Sequence, residues 1–265
     1  MNQIPKSLFI SHGGGPMPLL GDPGHDEMVA CLIHIAATIP KPDALLLISA
    51  HWEEAVPTLT AGANPSLIYD YYGFPEESYH IQYPCPGSPT LAREIAQLLE
   101  NGGFNTRLDE ARGFDHGTFV PLKIMYPDAD IPCVQLSMLN TLDPQKHIDM
   151  GSALASLQEK NVLVIGSGFS FHNLKAFFSE EINESRRLNH AFEAWLANTC
   201  GNTDYSEHER ATLLAEWSAA PGAIYCHPRE EHLLPLHVCY GVAGSPCTQK
   251  FELTILNKEA SMYLW

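Results

Sequence analysis

Residues 8–16, which read Leu-Phe-Ile-Ser-His-Gly-Gly-Gly-Pro, decide the fold that we predict. An apolar run, continuous as in the buried strands of parallel sheets, stops at His12, and three glycines and a proline follow. Residues 44–52, Ala-Leu-Leu-Leu-Ile-Ser-Ala-His-Trp, repeat the pattern and place His51 at the end of a second run. Because histidine is the commonest protein ligand for metals, we interpret these two strand ends as half of a metal site.

The segment between the two runs predicts their arrangement. A helix is expected from about residue 26 to residue 39, where Pro40 and Pro42 end it. A strand–helix–strand unit is normally right-handed and parallel, so both strands finish at the same edge of the sheet. Ligands of open α/β sheets bind at that edge. The topology therefore predicts that His12 and His51 lie on one rim.

The remainder of the chain continues the alternation of strands and helices. Strands are expected near 104–108, 131–138, 161–165 and 251–256, and helices near 88–100, 143–160, 181–199 and 205–218. With no internal repeat or linker, we predict a single α/β domain over residues 1–265. Its central sheet should be mostly parallel or mixed, with helices on both faces and the metal site at the C-terminal ends of the strands.

Composition and charge argue against several classes of function. The 265 residues carry a formal net charge of −16, whereas a nucleic-acid partner or an anionic membrane surface would require a basic face. Seven cysteines without a Cys-x-x-Cys pair argue against a disulfide framework and a structural zinc site. We find no secretory h-region and no apolar run of about 18 residues, so a cytoplasmic location is expected.

A catalytic metal site needs a third protein ligand and an open position. Of the thirteen histidines, those at 25, 34, 80, 147, 190 and 208 lack a strand-end setting and are interpreted as surface or core residues. The candidates for the third ligand are His227, Glu230, Glu231, His232 and His237, and spacing does not choose among them. The sequence has neither the His-Glu-x-x-His of a zincin nor the Gly-Lys-Ser/Thr of a phosphate loop.

Seven short motifs follow one another along the chain. They are Ser-His-Gly at 11–13, Ser-Ala-His-Trp at 49–52, Tyr-Pro-Cys-Pro-Gly at 83–87, Gly-Phe-Asp-His-Gly at 113–117, Met-Tyr-Pro-Asp-Ala-Asp-Ile-Pro at 125–132, His-Asn at 172–173 and Glu-His-Leu-Leu-Pro-Leu at 231–236. Together they resemble the class III (LigB-type) extradiol ring-cleavage dioxygenases, and the DOPA 4,5-dioxygenase branch in particular. The resemblance covers nearly the whole chain.

This resemblance implies roles for five histidines. His12, His51 and His232 would bind one non-haem divalent metal, His116 would be the catalytic acid/base, and His172 would contact the substrate near the metal. The protocatechuate-cleaving relatives use two histidines and a glutamate instead. Three histidines suit zinc as well as Fe(II), so we expect Fe(II) for dioxygenase activity and Zn(II) as an alternative or as-purified occupant.

The implied reaction inserts O2 into a small catechol, DOPA or another, beside a ring hydroxyl. Gly13, Gly14, Tyr72 and Phe74 are predicted to line the substrate pocket, the last two because they lie in a long aromatic loop, residues 57–89, of a kind that is often functional. A packed surface loop would have the same composition. A zinc hydrolase of a small ester or amide and a non-catalytic binding protein stay as alternatives. The sequence leaves the oligomeric state open, a homo-oligomer included.

Overall fold

The computed structural model describes residues 4–179 and 182–265, which form a mixed eight-stranded sheet with helices packed on it. Its strands are β1 (Ser7–Ser11), β2 (Ala44–Glu54), β3 (Thr58–Thr60), β4 (Arg107–Asp109), β5 (Cys133–Leu139), β6 (Val162–Gly168), β7 (Gln249–Ile255) and β8 (Lys258–Leu264). Its helices are α1 (Asp26–Thr38), α2 (Pro89–Asn101), α3 (His116–Met125), α4 (Pro144–Ala153), α5 (Leu174–Phe177), α6 (Asn183–Gly201), α7 (Glu207–Ala215), α8 (Ala223–Cys226) and α9 (Leu234–Ala243). The prediction of an α/β domain is confirmed.

The strands lie in the order β4-β3-β5-β2-β6-β1-β8-β7. The central four, β5, β2, β6 and β1, are parallel, whereas β8 pairs antiparallel with β1 and β3 pairs antiparallel with β5. The first two strands of the chain therefore flank β6, and all three end at the same edge. This is the edge on which the sequence placed His12 and His51.

Strand β2 shows why the apolar runs are continuous. Leu45 and Leu47 join a core with helices α1, α3 and α6, and Leu46 and Ile48 join a second core with α2, α4 and α9. Successive side chains of a strand point to opposite faces, so a strand that is covered on both faces is apolar at every position. Helices on both faces of the sheet were predicted and are observed.

The end of β2 departs from the prediction. The strand continues to Glu54 instead of ending near residue 50, and its register with β5 shifts between Ile48 and Glu53. Such a bulge bends a strand and re-aims the side chains within it. His51 lies inside the bulge, so its side chain can point toward the site at the edge of the sheet.

Other differences from the predicted elements concern helices and the C-terminal strands. The helix expected over 143–160 is α4 followed by a 3-10 turn at Ala155–Lys160, and the strand expected near 251–256 is the hairpin of β7 and β8. The helix expected over 181–199 is observed as α6, and residue 181 lies outside the described residues. In the part of the chain that the structure describes, no helix combines the length and apolarity that a membrane span requires.

Candidate metal centre

Five histidines gather at the C-terminal edge of the parallel strands. His12 directly follows β1, His51 lies in the bulge of β2, and His172 follows β6 after a short loop. His116 is the first residue of α3, and His232 lies just before α9. The sheet thus delivers three of these side chains, and the N-terminal ends of two helices deliver the others.

His12, His51 and His232 form a nearly equilateral triangle. Their ring centroids are 4.8 Å apart between His12 and His51, 5.2 Å between His12 and His232, and 5.0 Å between His51 and His232. A metal bound at about 2.0–2.1 Å to one nitrogen of each ring, with tetrahedral angles, would place the centroids about 5 Å apart. The centroid spacing of the three predicted ligands is therefore compatible with a single metal ion. His116 also offers a nitrogen within 4.8 Å of those of His12 and His51.

The hydrogen bonds of His12 indicate which of its nitrogens faces that metal. Ser167 Oγ donates to the carbonyl of Gly117 and lies 3.1 Å from His12 Nδ1. The serine proton is already committed, so we infer that His12 Nδ1–H donates to Ser167 and that Nε2 carries the lone pair. This Nε2 lies 3.0 Å from Nε2 of His51. Two facing nitrogens at this distance are stabilised only by a proton or a cation between them.

A carboxylate outside the triangle supports the same tautomer in the ring of His232. Glu231 Oε1 lies 3.0 Å from His232 Nδ1, so the carboxylate accepts from Nδ1–H and leaves Nε2 free. A histidine that ligates a metal commonly donates its other ring proton to a carboxylate in this way. Asp70 Oδ2 lies 3.8 Å from His51 Nδ1, which is too far for a hydrogen bond.

Burial keeps the three rings neutral, which metal binding requires. Desolvation, reinforced by the neighbouring histidines, holds the pKa of His12 and of His232 well below the usual value. Burial and the nearby His116 lower the pKa of His51 to about 3. Three neutral imidazole rings therefore lie together, and a donor set of this kind fits a divalent cation of the zinc or iron type.

His116 is held by Asp70, a residue that sequence reasoning missed. Asp70 Oδ1 accepts from the backbone N–H of His116 at 2.9 Å and lies 2.8 Å from His116 Nδ1. Burial opposes ionisation of Asp70, but the hydrogen bonds from His116 outweigh it and lower the pKa of the carboxyl. The adjacent Asp115 points away, to Ser49 Oγ at 2.7 Å and to Arg112 at 3.1 Å.

His172 stacks on His232, with ring centroids 3.4 Å apart and planes inclined by 15°. Its Nδ1 lies 3.2 Å from Glu231 Oε1, the same oxygen that faces His232. Glu231 is one of the five candidate ligands from the sequence. In the structure its Oε1 atom faces the Nδ1 atoms of both His172 and His232. Its carboxyl keeps a pKa below the usual value because the His172 hydrogen bond and the Arg229 charge outweigh the cost of burial.

The two other histidines among the candidates for the third ligand have structural partners. His227 Nε2 lies 2.7 Å from the carbonyl of Ser170, and the ring packs against Phe192. His237 lies between the carbonyls of Leu233 and Leu214, at 3.3 and 2.8 Å. Burial lowers the pKa of His227 to about 3 and that of His237 to about 4.

The predicted pocket residues lie in two different settings. A Cβ on Gly13, where φ is +78°, would meet Pro18 Cγ at 2.7 Å and His25 Cδ2 at 2.8 Å, so the packing of this loop requires glycine there. The backbone N–H of Gly14 donates to His25 Nε2 at 3.0 Å. Phe74 packs on Tyr71, whereas Tyr72 is 92% exposed. Their contact with substrate stays a prediction.

A cavity of about 340 Å³ opens beside the centre. It is lined by His172, Asn173, Leu174, Lys175, Pro228, Arg229 and Glu231. The Arg229 guanidinium is engaged by both oxygens of Glu53, each at 2.7 Å. Lys175 has no carboxylate partner among the described residues. The cavity therefore combines apolar contacts from Leu174 and Pro228 with a lysine that no carboxylate pairs with in the part of the chain that the structure describes.

The family model for the catalytic LigB subunit of aromatic ring-opening dioxygenase matches residues 9–260. The chain belongs to this family. The predicted resemblance to LigB-type enzymes is thereby confirmed, and the match spans all eight strands except the end of β8 and the start of β1.

Curated relatives of this LigB protein carry dioxygenase names. The 4,5-DOPA dioxygenase extradiol of Beta vulgaris is 39% identical over 247 residues, which is 92% of this chain and 88% of the relative. The dioxygenase tasH of Hapsidospora irregularis is 42% identical over 89% of this chain and 77% of its own length. The 4,5-DOPA dioxygenase extradiol of Escherichia coli K12 is 34% identical over 87% of this chain and 82% of the relative.

A solved structure agrees with the fold over its full length. The crystal structure of an uncharacterized protein of Escherichia coli K12 matches with a TM-score of 0.77 and 29% identity, covering 99% of each chain. The protein is thus an extradiol aromatic ring-opening dioxygenase of the DOPA dioxygenase-like branch, a non-haem metal enzyme that uses O2 and a catecholic substrate. Family membership decides against the hydrolase and the non-catalytic protein considered from the sequence.

Proposed function

We propose that this enzyme opens a small catechol beside a ring hydroxyl with Fe(II) held by His12, His51 and His232. The observation that supports the proposal most directly is the triangle of three neutral rings, with centroids 4.8 to 5.2 Å apart. When bound, Fe(II) would supply a Lewis acid for the catechol oxygens and a redox partner for O2. Zn(II) fits the same donors and is the expected occupant after purification in its presence.

The chain itself supplies a proton acceptor. His116, whose Nδ1–H is held by Asp70, offers Nε2 toward the histidine cluster, and its ring centroid lies 4.0 Å from that of His51. It can take the proton of a catechol hydroxyl and return it to the ring-opened product. Proton transfer by a positioned side chain typically accelerates a reaction by about 10²–10⁴-fold.

His172 supports the proposed contact with substrate. Its Nδ1 is oriented by Glu231, and its ring, 18% exposed, forms part of the wall of the 340 Å³ cavity. From this position it can donate or accept a hydrogen bond at the substrate without being a ligand. The stack on His232 at 3.4 Å keeps its plane fixed.

The cavity favours a catechol with a carboxylate on its side chain. Leu174 and Pro228 offer apolar contact, and Lys175 offers an ammonium group that no carboxylate of the described residues neutralises. Relatives carry the name 4,5-DOPA dioxygenase extradiol, and DOPA has a carboxylate on its side chain. We therefore propose DOPA or a similar catechol carboxylate as the substrate. The cytoplasmic location of the protein stays a prediction.

The test is anaerobic reconstitution of the metal-free protein with Fe(II) or Zn(II), followed by oxygen-electrode assays. DOPA, dopamine, which lacks the carboxylate, and unsubstituted catechol form a matched set. We expect oxygen consumption and a coloured ring-opened product with Fe(II) only. Oxygen-independent turnover with Zn(II), or inertness toward every catechol with Fe(II) bound, would contradict the proposal.

A variant of Lys175 tests whether this lysine binds the carboxylate of the substrate. Lys175→Ala should raise KM for DOPA a few-fold, the size of an exposed ion pair worth roughly 0.2–1 kcal/mol, and leave KM for dopamine unchanged. An equal change in KM for both substrates would show that Lys175 does not bind the substrate carboxylate.

A further inference from the structure

Asp70 is the only side chain of the aromatic loop that hydrogen-bonds to one of the five clustered histidines, among the residues that the structure describes. One oxygen, Oδ1, lies 2.8 Å from His116 Nδ1 and accepts the backbone N–H of the same residue at 2.9 Å. The other, Oδ2, lies 3.8 Å from Nδ1 of His51. The carboxylate therefore stands outside the cluster, on the side of the Nδ1 atoms.

The loop holds this carboxylate firmly by its two neighbouring tyrosines. Tyr71 OH donates to the carbonyl of Ser78 at 2.6 Å, and Tyr69 OH donates to the carbonyl of Ile81 at 2.7 Å. Tyr71 is buried, and its ring lies 5.8 Å from that of His116. Because Asp70 lies between two anchored residues, its position is fixed by the loop and not by its own short side chain.

Among the described residues, two groups of side chains have atoms close enough to share a metal, and Asp70 belongs to neither. Its 23% exposure and its two contacts with His116 also distinguish it from Asp115, whose oxygens are used by Ser49, Gln135 and Arg112. The side chain of Asp70 therefore hydrogen-bonds to one residue among those described, and that residue is the one proposed to move the proton.

We propose that Asp70 is the positioning residue of His116. It fixes the tautomer with the proton on Nδ1, so that Nε2 presents its lone pair to the catechol hydroxyl. When Nε2 takes that proton, the substrate oxygen keeps the electron pair of the O–H bond, and the imidazolium lies against the Asp70 carboxylate. The proton then leaves from Nε2, and the Nδ1 proton never transfers. This inference rests on the role proposed for His116.

The first test is structural and needs no turnover. In the Zn(II)-loaded protein, the nitrogen NMR signals of His116 report its tautomer. We expect the Nδ1–H form in the wild type and in Asp70→Asn, whose amide oxygen can still accept both hydrogen bonds, and a mixture or the Nε2–H form in Asp70→Ala. A wild-type tautomer in Asp70→Ala would overturn the proposal, whatever the activity of His116 variants.

The second test is a double-mutant cycle on the Fe(II) enzyme. Asp70→Ala should lower kcat by about 10²-fold with KM nearly unchanged, within the range of general acid–base catalysis, and should bind metal as the wild type does. In the His116→Ala background it should have no further effect, because a residue that acts through another adds nothing once that residue is gone. An equal loss in both backgrounds would overturn the proposal.

The exposed Glu77 of the same loop provides the control. Glu77→Gln should leave the tautomer and kcat unchanged, which shows that the effect of Asp70 is not that of any carboxylate in this loop. Should Asp70→Ala fold poorly, Asp70→Asn is the second variant. We expect it to retain the tautomer but lower kcat, since the charge that faces the imidazolium is gone, and a wild-type kcat in Asp70→Asn would overturn that part of the proposal.

Discussion

His172 lies flat on His232, with ring centroids 3.4 Å apart, and Nδ1 of each ring lies within 3.2 Å of the same oxygen of Glu231. A predicted metal ligand and a predicted substrate contact are thus oriented by one carboxylate. The arrangement couples the two roles, because any change in Glu231 is felt by both rings.

Glu231→Gln should therefore weaken metal binding and turnover together. The amide keeps an oxygen that can accept one N–H but loses the charge that favours both, and such outer partners of a ligating histidine typically change metal affinity about 10–100-fold. Competition with a chelator, measured by metal analysis, would give the affinity. Glu230→Gln, next along the chain, is the matched control, and an unchanged affinity in Glu231→Gln would contradict the role.

The ligand assignment predicts the outcome of three alanine variants. His12→Ala, His51→Ala and His232→Ala should each abolish stoichiometric metal binding, since two remaining imidazoles hold a divalent ion poorly. Metal content after dialysis is the measurement. His208→Ala, an exposed histidine, should bind metal normally, and full retention by any of the three would remove that residue from the ligand set.

His116→Ala should retain metal but lose most turnover. Its ring is held by Asp70 and lies beside the triangle, so its removal deprives the reaction of a proton acceptor worth about 10²–10⁴-fold in rate. Metal analysis and kcat, measured on the same sample, check both halves of the prediction. A wild-type kcat would assign the proton transfer to another residue.

Gly168→Ala should displace the backbone of His232 and so disturb the candidate metal centre. A Cβ at this position would collide with the carbonyl of His232, which accepts the N–H of Phe169 at 2.9 Å. Since backbone has to move, we expect a loss of about 1–3 kcal/mol in stability, together with weaker metal binding. Gly14→Ala is the control, because its Cβ would meet Met17 and His25 at ordinary distances of 3.4 and 3.6 Å; equal losses in both variants would refute the argument.

The buried carboxyl of Glu193 should make the stability of the protein depend on pH. It is buried beside Ser261, and burial raises the pKa of its carboxyl from 4.5 to about 7. The unfolded chain releases this proton near pH 4.5, whereas the folded chain keeps it, so the wild type loses stability as pH rises from about 4.5 to 7.

Glu193→Gln has no such titration. The stability of the metal-free variant relative to the wild type should rise across this window by up to about 3 kcal/mol, at roughly 1.4 kcal/mol per pKa unit, and stay level above pH 7. Urea unfolding at pH 5 and pH 8 measures the difference. A difference that does not change with pH would show that the carboxyl titrates normally.

The sequence was sufficient where the fold follows from short-range patterns. The apolar runs of β1 and β2, with a helix between them, placed His12 and His51 on one rim, and the structure has both there. Helices α3 and α9 were not predicted, because nearly every residue in them is buried and a helix covered on all sides shows no amphipathic period.

Asp70 could not be paired with His116 from the sequence, since they are 46 positions apart and the aromatic loop around Asp70 has no periodic pattern. Its signal was only that it is the sole aspartate of residues 57–89 and stands between two tyrosines. The stacking of His172 on His232 and the bulge at His51 likewise depend on tertiary contacts. The residue types indicated the chemistry of the site, whereas these contacts between side chains could be seen only in the structure.

The pairing of β1 has a consequence for how the protein is made. The strand that leads into His12 is bordered by β6 and β8, whose partner residues lie at 164–168 and 263–264. During synthesis, His12 leaves the ribosome long before β6 and β8 exist, and His232 follows β6 but precedes β8. In the nascent chain, the segments that carry His12 and His51 are therefore exposed until β6 and β8 are made. We expect the protein to bind its metal only after the last strand has been synthesised.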